Sequence, residues 1–106
     1  IILDRYQYFE NMVPALIQKM DHYNPVVSTM AYEDLVGATK DSLYPREARI
    51  VFDTLRKIFF LSRNRLQKIT TPDERLRQKL DLLRWSIRIL GTQELKRLPS
   101  EVINLL

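Results

Sequence analysis

REARIVFDTLRKIFFLSRNRLQKI, residues 46–69, holds no glycine and no proline, so nothing in it interrupts a helix. Ala48, Val51, Phe52, Leu55, Ile58, Phe59, Leu66 and Ile69 recur at spacings of three, four and seven, the pattern of a buried helix face. Arg49, Arg56, Lys57 and Arg63 fall on other faces, open to solvent or to a negatively charged partner. At 1.5 Å per residue such a helix is about 36 Å long, roughly the width of a small domain. Pro45 is well placed at its first position, where a missing N–H is tolerated.

Outward from this rod, the rest of the chain also reads as helix. Residues 3–23 put Tyr6, Phe9, Val13, Leu16, Ile17 and Met20 on one stripe. Pro14 is expected to kink that helix or split it, because an interior proline removes a hydrogen bond and clashes with the preceding turn. Asn24-Pro25 reads as its end. A short second helix is expected over 30–36, capped by Ser28 or Thr29 and stopped by Gly37, with a polar turn over 38–44. Thr71-Pro72-Asp73-Glu74 matches a capping box. The helix it opens, 72–90, carries Leu76, Leu80, Leu83, Ile87 and Leu90 at alternating steps of four and three, a seam used between bundle helices. Gly91 is expected as its left-handed C-cap, and the short gap after Ile69 makes it antiparallel to the long helix. Leu98-Pro99-Ser100 reads as a turn before a last apolar fragment, 102–106. The fold class is therefore all-α: an antiparallel helical bundle of four to five helices with a long central helix. It forms one domain over 1–106, with 98–106 either packed back or leading into a further domain.

Composition narrows the function classes. A length of 106 residues suits one core, and 45% hydrophobic with 28% charged residues argues against a disordered tail or a membrane protein. The most apolar window, 58–61, is far short of a bilayer span. The absence of cysteine excludes disulfides and thiolate metal sites. No secretory signal is visible, so a cytoplasmic location is expected, or a nuclear one in a eukaryote; opening on Ile1 rather than Met points to a processed or upstream-extended chain. The net charge of +4 hides an asymmetry: residues 1–45 carry −3 and residues 46–106 carry +7. The two parts can attract each other, within one chain or between chains, and the basic part can face a polyanion.

Catalysis finds little support. His22, the lone histidine, sits between Asp21 and Tyr23 at a helix end, and no nucleophile is marked by a sharp turn. Glu33-Asp34 and Asp73-Glu74 are paired acids in first helical turns, where the helix dipole accounts for them. No catalytic residue, metal ligand or cofactor is assigned. Nucleic-acid binding offers more. Arg49, Arg56 and Arg63 share one line at seven-residue intervals, and Arg77, Arg84 and Arg88 make a similar line on the next helix, interleaved with Phe59, Phe60 and Trp85. A solvated basic face with Asp53 and Asp81 as partners is the plainer reading of the same residues.

Protein–protein assembly accounts for what is left. Ile50, Phe60 and Leu61 lie off the main apolar face of the long helix, and Leu82, Trp85 and Ile89 form a second line on the next. Helices apolar on two sides are buried on two sides, either under the N-terminal helices or under a partner. Phe60, Leu61, Trp85 and Ile89 are the interface candidates. Arg49, Arg56, Arg63, Arg84 and Arg88 are the candidates for contact with DNA or an acidic partner.

Three stretches carry a family likeness. LDRYQYFENMVPALIQKM (3–20), LYPREARIVFDTLRKIFFLSRNRLQKI (43–69, ending Arg65-Leu66-Gln67-Lys68-Ile69) and TPDERLRQKLDLLRWSIRIL (71–90) follow one another as three helices. In that order they resemble the helical domain of GINS subunits, particularly the archaeal type. The resemblance implies a non-enzymatic subunit of a replication complex, whose long helices pack against sister subunits and bridge components of the replicative helicase. GINS subunits usually carry a small β-rich domain as well; none is present here, and LPSEVINLL (98–106) would be its linker. Sister subunits or further copies of this chain are the expected partners, then helicase components, with direct DNA contact in a second reading as a stand-alone nucleic-acid-binding bundle. No membrane partner is expected.

Overall fold

The computed structural model describes residues 5–40, 44–61 and 74–106, and nearly all of these are helical. Among the described residues there are five α-helices, α1 (Arg5–Lys19), α2 (Pro25–Thr39), α3 (Pro45–Leu61), α4 (Glu74–Leu90) and α5 (Ser100–Ile103), with a 3-10 helix (Thr92–Arg97) between the last two. The fold is an all-α bundle. The Tyr6 side chain, Arg63, Leu66, Ile69, the run 65–69 and the capping box at 71–73 lie outside the described residues.

The spacing of apolar residues on α3 is reproduced as burial at five of the six expected positions described, Ile58 being only partly buried. Ala48, Val51, Phe52, Leu55 and Phe59 are all within 1% of full burial, at the centre of a core shared with α1 and α4. Each large side chain of this kind contributes roughly 1.5–3 kcal/mol. From α1 come Phe9, Val13, Ile17 and Met20; from α4, Leu76, Leu80, Leu82, Leu83 and Ile87.

Five local expectations are corrected. Pro14 sits inside α1, which runs through it as one helix rather than as two. Pro14 and Glu10 are both exposed, so the Glu10 carbonyl that Pro14 cannot serve lies on the wet side of the helix, where water can. The second helix is longer than expected: Asn24 is its cap, accepting from Val26 N at 2.9 Å, with Pro25 at the first position. Ser28 is no cap; its hydroxyl donates 2.6 Å to the Met20 carbonyl and ties the two helices together. Gly37 lies within α2 rather than ending it. Gly91 follows α4 with φ 109° and ψ 158°, a conformation essentially reserved for glycine but outside the left-handed helical region.

Residues 98–106 pack on the bundle. Leu98 and Val102 are buried, Leu105 and Leu106 pack against the same core, and Arg84 donates 3.1 Å to the Leu105 carbonyl. The second apolar line of α4 is thus covered largely within the chain: Leu82 is buried and Trp85 is partly so.

Candidate functional site

The residues of most functional interest lie along the flanks of α3. Arg49 and Arg56, two helical turns apart, face the 3-10 helix. Arg49 makes a two-pronged ion pair with Glu94, at 2.6 and 2.9 Å. Glu94 is 4% exposed, so its charge is buried and needs the guanidinium. That hydrogen-bonded pairing holds the Glu94 carboxyl below the usual glutamate range against the opposing effect of burial, and it raises Arg49. Asp53, at 3.9 Å from Arg49, and Arg97, at 3.5 Å from Glu94, extend the network. Two turns along α3 from Arg49, Arg56 donates 2.9 Å to the Arg97 carbonyl, the last residue of the 3-10 helix, and lies over the Phe60 ring at 5.3 Å. The seven-residue spacing that aligns these arginines therefore fastens one short helix at two points.

Arg84, on α4, is paired with Asp81 at 2.8 Å and also holds the Leu105 carbonyl. Arg88 is exposed, with no hydrogen-bond or ion-pair partner among the described residues. Arg63 lies outside them. Glu94 was not singled out in the sequence; its partner is 45 residues away, and no periodic signal links the two.

The apolar candidates divide. Phe60 is 45% exposed and Leu61 88% exposed, at the end of α3. Trp85 and Ile89 are half-buried. At the foot of the bundle Arg75 donates to the Tyr23 carbonyl at 3.2 Å and Lys79 pairs with Asp21, locking the α1–α2 turn to the start of α4. His22 accepts from Asn24 N at 3.0 Å and stacks on Tyr23, a local turn contact.

Among the described residues no group of three or more His, Cys, Asp or Glu could hold a metal, and no helix is long and apolar enough to cross a membrane. No family model, curated protein or solved structure matches the chain.

Proposed function

We propose that this chain is a non-enzymatic assembly subunit of the GINS type, taking part in DNA replication by bridging replicative helicase components through helix–helix packing. The observation that carries the reading is the exposed apolar end of α3, Phe60 and Leu61, on a helix whose inner face is already filled. Covering two side chains of that size contributes roughly 1.5–3 kcal/mol each, enough to anchor a partner helix. Trp85 and Ile89 add a half-buried apolar margin on α4. The likeness of residues 3–20, 43–69 and 71–90 to GINS helices supports the choice of complex. A stand-alone nucleic-acid-binding bundle is the weaker reading, because Arg49, Arg56 and Arg84 are engaged within the chain.

Affinity capture with the tagged chain from its own host tests this. Replicative-helicase components should be retained by the wild type and lost with Phe60→Glu or Leu61→Glu. Capture of no replication protein, or capture unchanged in both variants, overturns the reading.

A further inference from the structure

The helix α2 is apolar on its outer face as well as its inner one. Its buried face is made of Ser28, Ala31, Leu35 and Thr39, while Val26 and Met30, 62% and 58% exposed, point outward. A surface helix ordinarily keeps valine and methionine off its solvent side. Val26, Met30, Glu33 and Gly37 follow one another at steps of four, three and four, so they form a single outward line. Gly37 on that line has nothing within 4 Å of where a side chain would begin. Neither its backbone nor its neighbours in the chain require a glycine, which a helix interior disfavours. A glycine there lets another backbone come close. Glu33 on that line and Asp34 beside it are exposed and without a hydrogen-bond or ion-pair partner among the described residues.

A surface of opposite character lies on the same chain. An open groove of about 420 Å³ runs between α1 and α3, lined by Asn11, Pro14, Ala15 and Gln18 from one and Thr54, Lys57 and Ile58 from the other. The α1 wall follows the steps three, one and three of a continuous helix face, and small side chains at its middle leave room for an incoming helix. Lys57 is exposed at the groove with no partner among the described residues.

We propose that the chain binds a second copy of itself by laying the outer face of α2 into the α1–α3 groove. Val26 and Met30 meet Pro14, Ala15 and Ile58, the acidic pair of α2 meets Lys57, and Gly37 permits the close crossing. The charge asymmetry of the chain then has a use between copies as well as within one. The inference deepens the assembly reading, since it names a partner and a surface; it does not use Phe60, which lies on the flank of α3 nearer the 3-10 helix.

Sedimentation velocity of the full chain from micromolar to millimolar concentration tests it. Wild type should associate reversibly, and Met30→Glu and Lys57→Glu should each weaken association by about tenfold or more, the loss of one interface anchor. An equimolar mixture of the two variants should recover a 1:1 pair, because each retains the surface the other lacks. Gly37→Leu, which favours helix, should block association while keeping the circular dichroism of the folded chain. A wild-type chain that stays monomeric throughout overturns the proposal, and so does a mixture with no recovery. Association lost in Phe60→Glu but unchanged in Met30→Glu overturns it while leaving the assembly reading standing.

Discussion

Arg49→Met should be more damaging than Glu94→Gln, although both remove the same ion pair. The asymmetry follows from where each charge is left. Without Arg49, the Glu94 side chain, 6% exposed, keeps Arg97 at 3.5 Å as its one cation among the described residues, itself 58% exposed. Breaking a fully buried pair costs roughly 3–5 kcal/mol. The Arg49 side chain is 35% exposed, so solvent screening reduces that to about 2–3 kcal/mol. Without the Glu94 charge, Arg49 can turn to water and to Asp53, and the amide retains a hydrogen bond, so the cost is about 1 kcal/mol. In a chain of this size, Arg49→Met should lower Tm by roughly 10–20 °C and Glu94→Gln by roughly 4–8 °C. Thermal unfolding followed by far-ultraviolet circular dichroism at neutral pH gives both differences, and hydrogen exchange should locate the loosening at residues 92–97. Equal losses, or a larger loss for Glu94→Gln, would refute the argument that burial of the carboxylate sets the cost.

The same pair makes stability pH-dependent. Because Glu94 is held below its ordinary value near 4.5, its contribution is complete above that pH and fades as pH falls through the lowered value, so the gap between wild type and Arg49→Met should narrow in acid. At the other extreme Tyr32, raised above 10.0 by burial and then by Asp81 and Glu74, should draw stability down as pH climbs past that value, and Tyr32→Phe should flatten this limb. Gln78 is buried, and its Oε1 has no hydrogen-bond partner among the described residues, so Gln78→Leu should raise urea stability by about 1 kcal/mol. Gly91→Ala should cost about 1–3 kcal/mol, since no alanine is comfortable at φ 109° and ψ 158°. Pro14→Ala, on the exposed side of α1, should raise Tm, restoring one hydrogen bond and removing a clash.

Burial periodicity made most of the bundle legible. The seam Leu76, Leu80, Leu83 and Ile87 could be read directly, because each residue needs only its helical neighbours to define the inward face. Residues with two structural uses were read less well. Pro14 is tolerated because its cost falls on an exposed carbonyl, and Gly37 continues α2 because Leu35 and Thr39, joined by a 2.9 Å hydrogen bond, are both buried beneath it. Ser28 has the chemistry of a cap but bonds across to Met20. The candidate arginines were found as a line, but the destination of that line was invisible. Glu94 and the Arg97 carbonyl meet α3 only after the chain has turned at Gly91, and spacing within one helix carries no information about such a return. The exposed Phe60 and Leu61 were recognisable for the converse reason: positions off a filled apolar face have nowhere inside to go.

What covers the end of α3 decides whether this helix is an assembly surface. A photo-crosslinking amino acid placed at position 60 in the full chain, expressed in its host, reports that directly. A discrete adduct with a sister subunit or a replicative-helicase component, abolished by Leu61→Glu, is expected. An adduct with nucleic acid, or none with any protein, would contradict it.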